Sequence, residues 1–262
     1  MSYKTVYYTP YNIECYSDKS FKPIIRQTEL IDKTYTYTNC PVFNHQSNRT
    51  FVLLSPIDFS FSIKRIKYII NSTNTKICAT INVDNPLQRD FLQYNSQHLN
   101  STLPVFQMKV PKFLFWTYDD DVWFNFLDHP MTSYSNNLIA VSGWFNLSNW
   151  TRTSSFAFTM VDEDKPVVIK KGDPICRLSF IYPNLNEGIV LKEEKDPEKI
   201  AKVEDLYFKK RERMHHTTGT YSDGSLIDES DLPEVKNEEN WKSKIFSKTN
   251  SKNKCPVGFL FK

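Results

Sequence analysis

The chain has 262 residues, 40% hydrophobic and 15% aromatic, with a formal net charge of +3. That is enough for one large domain or two small ones, with ample apolar surface to fold, and no global field singles out nucleic acid or an anionic membrane as partner. All six glycines lie at or beyond Gly143, which excludes the glycine-rich nucleotide-binding turns of Rossmann and P-loop proteins.

The five cysteines (Cys15, Cys40, Cys78, Cys176, Cys255) are odd in number and never form C-x-x-C. Neither a disulfide framework nor a zinc ribbon follows, and reduced, packed thiols are expected. No cofactor and no metal is implied. The N-terminal residues lack a basic start followed by an apolar stretch, and no apolar run approaches the length of a membrane span. The expectation is a protein that stays inside the cell that makes it, with no membrane partner.

In chain order, strands are expected at 4–8 and 51–54. Phe59, Phe61 and Ile63 then alternate with Ser60, Ser62 and Lys64, the period of a half-buried strand. Further strands are expected at 66–70, 77–83 and 105–110, with 87–99 forming a short helix or a long loop around Leu87, Phe91, Tyr94 and His98. Residues 113–118 and 122–127 are apolar on both faces, as in strands held between two layers. Strands at 138–145, 156–160, 167–170 and 175–182 complete the series. The separators are turn formers such as Ser55-Pro56 and Lys171-Gly172-Asp173-Pro174. Short strands in succession predict an all-β, antiparallel sandwich or jelly-roll-like domain with a C-terminal helix and an extended arm.

Charge density divides the chain near residue 191: 34 charged residues precede that point and 29 follow it, about 18% against about 41%. Asp196-Pro197 reads as an N-cap and first helical residue, and Ile200, Val203, Leu206 and Tyr207 recur at helical spacing. The expected organisation is a β-sandwich over 1–191, a helix over 192–216 and an irregular charged arm over 217–262. The arm turns apolar at Phe259, Leu260 and Phe261. Together with Trp241 and Phe246, these residues are the expected contacts to a protein partner or a sister subunit.

Candidate chemistry is sparse. Asp128 and His129 would supply a general acid or base if they lined a cleft. The acidic turn Asp119, Asp120 and Asp121 could offer oxygens to a hard cation, with solvated turn acids the commoner reading. If the flanking strands form a hairpin, Asp128 and His129 stand roughly 20 Å from that turn. His215 and His216, with Glu212, have the look of a surface helix end. Trp116, Tyr118, Trp123 and Trp144 are the candidate ligand-binding aromatics, a stacking platform for bases or sugars if exposed, with core packing favoured. Lys242, Lys244, Lys248, Lys252 and Lys254 of the arm make nucleic acid a possible partner but not the favoured one.

The run Lys170-Lys171-Gly172-Asp173-Pro174-Ile175-Cys176-Arg177-Leu178-Ser179-Phe180-Ile181 resembles the basic-Gly-acid-Pro turn and closing strand of an uncharacterised domain family of bacteria and tailed phages. Ser55-Pro56-Ile57-Asp58-Phe59 and Phe115-Trp116 through Trp123 are similar in order to that family's other landmarks. The resemblance covers roughly residues 40–183 and implies a phage-like β-domain without assigning catalytic residues. A similar glycine turn before a terminal strand occurs in the β-clip fold of dUTPase relatives, whose glycine-containing nucleotide motifs are missing here. Heavy use of Lys, Asn, Tyr, Phe and Ile also fits a phage or other AT-rich genome, and with the resemblance the expected location is the host cytoplasm or a virion.

The leading expectation is a phage-type, non-catalytic interaction or assembly protein. The alternatives are a small-molecule or nucleotide-processing enzyme using Asp128 and His129, and single-stranded nucleic-acid binding through the aromatic strands.

Overall fold

The computed structural model describes residues 3–10, 20–30, 40–71, 74–84, 86–93, 103–109, 113–149, 151–153, 156–184 and 187–216. Among the described residues strands dominate and form four sheets. The first has the order β12 (Arg152–Thr153), β8 (Phe113–Thr117), β1 (Tyr3–Pro10), β16 (Gly188–Glu193). The second is β10 (Leu138–Ala140), β13 (Phe156–Met160), β7 (Phe106–Met108), β6 (Leu92–Gln93). The third, with five strands, is β11 (Gly143–Asn146), β9 (Trp123–Asp128), β15 (Pro174–Ile181), β3 (Thr50–Leu54), β2 (Ile24–Arg26). The fourth is β14 (Val167–Ile169), β4 (Phe59–Asn71), β5 (Asn74–Val83). The fold is the expected all-β sandwich with a C-terminal helix.

Among the described strands one pairing departs from antiparallel: β1 and β16 run parallel, from Tyr3 opposite Gly188 to Tyr8 opposite Glu193. Parallel neighbours need a long crossover, and the body of the domain supplies it. Arg49 fastens the entry to β16. Its guanidinium, 4% exposed, donates from Nε and Nη2 to the Glu187 carbonyl at 3.1 and 2.8 Å, and from Nη2 to the Asn184 carbonyl at 3.1 Å. It also lies over the Tyr182 ring, 5.0 Å from its centroid. A buried cation is tolerated when its donors are satisfied.

Phenylalanine builds the core. Phe61, Phe106, Phe113, Phe115, Phe124, Phe158 and Phe180 are all fully buried, and their rings tie the sheets together. Phe115 of the first sheet stacks on Phe124 of the third (5.6 Å between centroids), Phe126 of the third on Phe156 of the second (4.5 Å), and Phe61 of the fourth meets Phe106 of the second edge-on (5.1 Å). Truncating one such ring to alanine typically costs about 3–5 kcal/mol.

Every residue of β8 is buried, as the two-faced apolar pattern predicts. Phe113 and Phe115 enter the main core, while Leu114 and Trp116 face the other way and form a second cluster with Val203, flanked by Tyr7 and Tyr207. Val203 belongs to the C-terminal helix, Pro197–His216. Asp196 caps that helix as the sequence implies: its Oδ1 accepts the Glu198 N–H at 3.0 Å and its carbonyl accepts the Ile200 N–H at 3.0 Å. The chain divides into two units, Met1–Tyr207 and Phe208–Lys262. Of the second, 208–216 are described and continue the helix; the expected arm contacts Trp241, Phe246, Phe259, Leu260 and Phe261 lie outside the described residues.

Other elements differ from expectation. The segments at 59–63 and 66–70 are one strand, β4, paired with β5 from Phe61 opposite Val83 to Asn71 opposite Asn74. The single strand expected at 138–145 is two: β10 pairs with β13 in the second sheet and β11 with β9 in the third. Val141 makes the transfer, donating its N–H to the Ala157 carbonyl at 2.8 Å before the chain changes sheets. Short helices occupy Pro41–Ser47, where proline sits at the first position, and Pro130–Ser135. Within 87–99 a 3-10 helix, Pro86–Phe91, leads into β6, and Tyr94 and His98 fall outside the described residues.

The turns at 55–58 and 170–173 meet. The Gly172 N–H donates to the Ser55 carbonyl (2.8 Å), the Ser55 N–H to the Asp173 carbonyl (2.9 Å) and the Lys171 N–H to Asp58 Oδ1 (2.7 Å). Asp173 Oδ2 accepts the Lys170 N–H at 2.9 Å and Asn136 Nδ2 at 3.3 Å. Gly172 has φ +91°, a left-handed conformation that favours glycine.

Candidate functional site

Residues 113–117 and 123–128 do not form a hairpin: β8 lies in the first sheet and β9 in the third. The acidic turn between them is a corner that moves the chain across layers, and Asp119 and Asp121 are engaged in holding it. Asp119 Oδ2 accepts the Thr5 N–H at 2.8 Å, Oδ1 pairs with Lys4 Nζ at 3.3 Å, and the Asp119 carbonyl accepts the Ser148 hydroxyl at 2.7 Å. Asp121, with φ +56°, accepts the Trp123 indole N–H at 3.0 Å. Among the described residues, no three His, Cys, Asp or Glu side chains gather where they could hold a metal ion.

Asp128 ends β9 opposite Cys176, and its carbonyl accepts Arg177 Nε at 2.9 Å. His129 follows at the start of the Pro130–Ser135 helix, with its carbonyl accepting the Thr132 N–H at 2.9 Å. The imidazole is 8% exposed. Burial pushes its pKa below the ordinary histidine value, the Arg177 charge pushes the same way, and Asp128 opposes both. This is a largely buried imidazole biased to neutrality, beside a guanidinium. The neighbouring Cys176 thiol is fully buried and burial drives its pKa far up, so it is not a thiolate nucleophile at neutral pH.

The four candidate aromatics divide between two sheets. Trp116 is 2% exposed, stacks on Tyr7 (5.8 Å, 18°) and has its indole nitrogen buried without a hydrogen-bond partner. Tyr118, 67% exposed, stands edge-on to the same Tyr7 at 5.4 Å. Trp123 and Trp144 lie on adjacent strands of the third sheet. Trp144 is opposite Asn125 and Asn146 is opposite Trp123. Because Phe124, Phe126 and Phe145 enter the core, strand alternation turns Trp123, Asn125, Trp144 and Asn146 to the other face. Trp144 is 53% exposed and Trp123 is half-buried, while Asn125 between them is 3% exposed. The Asn125 amide oxygen is buried without a hydrogen-bond partner.

A groove of about 200 Å³, unforeseen in the sequence, is lined by Tyr8, Lys22, Arg26, Glu29, Phe51 and Leu191, with Ile24 and Ile25. Arg26 lies over the Phe51 ring at 5.2 Å, donates through Nη2 to the Ile189 carbonyl at 3.3 Å, and through its N–H to Glu29 Oε1 at 2.9 Å. Burial, with the charge of Glu193, raises the Tyr8 phenol pKa. Lys22 and Arg26 belong to no motif, and what unites them is the non-local pairing of β2 with β3.

No protein-family model matches the chain, and no curated protein matches it in sequence.

Proposed function

We propose that this chain is a phage-type, non-catalytic interaction or assembly protein that docks on a sister subunit or protein partner through its C-terminal helix and the segment beyond it. The observation that carries this reading is the helix surface. Val203 is 5% exposed in the cluster with Leu114 and Trp116, while Leu206, three residues on, is 60% exposed. Burying a leucine stabilises by about 1.5–3 kcal/mol, so a partner covering Leu206 gains substantially. The second unit opens on Phe208, itself 43% exposed. The apolar residues at the far end of 217–262 support the same role, because an unattached tail gains nothing from them. Among the described residues no helix is long and apolar enough to cross a membrane.

Light scattering on the full chain tests the proposal. It predicts a mass above the 30.8 kDa of one chain that falls towards that value in Leu206→Ser. A concentration-independent single-chain mass in both proteins contradicts docking between sister subunits.

A further inference from the structure

We propose that the outward face of β9 and β11 is a binding site for a neutral oligosaccharide. The site lies on the five-stranded sheet, away from the helix that supports the assembly reading, and does not depend on that reading.

Antiparallel register places two tryptophans and two asparagines at alternating corners of a square: Trp144 opposite Asn125, and Asn146 opposite Trp123. Asn146 is buried with its Oδ1 accepting the Asn149 N–H at 3.2 Å, which leaves Asn125 as the amide with an unused acceptor. Diagonal neighbours in such a pair are about 7–8 Å apart, within the span of one or two sugar rings. An indole presents a flat apolar face to the C–H face of a pyranose, and a side-chain amide both donates to and accepts from hydroxyls. Trp123 is held by its indole N–H on Asp121 Oδ1 at 3.0 Å, which fixes one wall before a ligand arrives. Trp144, 53% exposed, is the open wall.

Asn125 supplies an independent observation. Its amide oxygen is buried without a partner, a condition that costs about 1–3 kcal/mol and is rare in folded proteins. Ser179 stands opposite it on β15 and is 7% exposed, so the oxygen is enclosed by sheet neighbours. In the bound state the sugar ring packs on the faces of Trp123 and Trp144, and a ring hydroxyl donates to the Asn125 oxygen left unsatisfied in the free protein.

Charge selects the ligand class. Single-stranded nucleic acid on an aromatic platform needs cations along the backbone path. Here the cation on this face of β15 is Arg177, whose Nε is committed to the Asp128 carbonyl, and the charge in contact with Trp123 is the Asp121 carboxylate. A neutral polyhydroxylated ring meets no charge penalty.

The test is a titration of the full chain with maltoheptaose, cellohexaose, chitohexaose and, separately, oligothymidylate, read by tryptophan fluorescence and calorimetry. At least one glycan binds, Trp144→Ala weakens it tenfold or more, and Trp144→Phe restores part of the loss. Asn125→Leu weakens binding while raising the melting temperature, because it removes an unsatisfied buried amide, an outcome that a purely structural asparagine would not produce. Absence of binding to all three glycans, binding unaffected by Trp144→Ala, or salt-sensitive binding of oligothymidylate alone each overturns the proposal.

Discussion

The main-chain N–H of Gly172 donates to the carbonyl of Ser55 at 2.8 Å, joining the turn before β15 to the end of β3. Gly172 holds φ +91° with nothing within 4 Å of where a Cβ would stand, so the requirement is conformational and not steric. Gly172→Ala should therefore destabilise the fold by about 1–2 kcal/mol, lowering the urea midpoint without changing the m-value.

Arg49 illustrates a different dependence. Its guanidinium donates to the carbonyls of Glu187 and Asn184 in part-buried bonds, and truncation removes these together with the packing of a side chain that is itself buried. Arg49→Ala should cost about 3 kcal/mol. Arg49→Lys should recover only part of this, because an ammonium cannot reproduce the planar fork. Equilibrium denaturation of the two variants checks the order.

The His129 imidazole is held below its ordinary pKa of about 6.5. Between the folded and unfolded values the unfolded chain binds more protons, so stability rises with pH across that window. The contribution is fully present above about pH 6.5 and is lost as pH falls below it towards the folded pKa. Unfolding free energies at pH 5 and pH 7.5 should differ more for the wild type than for His129→Gln, and equal differences would contradict the account.

Cysteine reactivity should separate cleanly. Cys40 is exposed and Cys176 fully buried. Iodoacetamide at neutral pH, with peptide mass mapping, should modify Cys40 in the native chain and Cys176 only after denaturant is added.

How much was legible in the sequence depended on whether the signal was local. The two-faced apolar run over β8 announced a strand between layers, and Asp196-Pro197 announced the helix start, because caps and periodicity are written in neighbouring residues. The corner at Asp119 to Asp121 was harder. A turn between two apolar strands looks like a hairpin until Thr5 and Ser148, distant in sequence, are seen to bind it. Strands of two or three residues such as β2 and β12 carry too few side chains for a period, and their pairing with β3 and β8 is wholly non-local. Trp123 and Trp144 were singled out as aromatics, but their alternation with Asn125 and Asn146 needed the register of β9 and β11.

The assembly reading rests on the helix and the segment beyond it, and the mass of the full chain against that of a chain ending at His216 tests it most directly. Multi-angle light scattering across a concentration series should give an assembly for residues 1–262 that dissociates, or forms only at higher concentration, for residues 1–216. Equal masses together with equal thermal stability would contradict it.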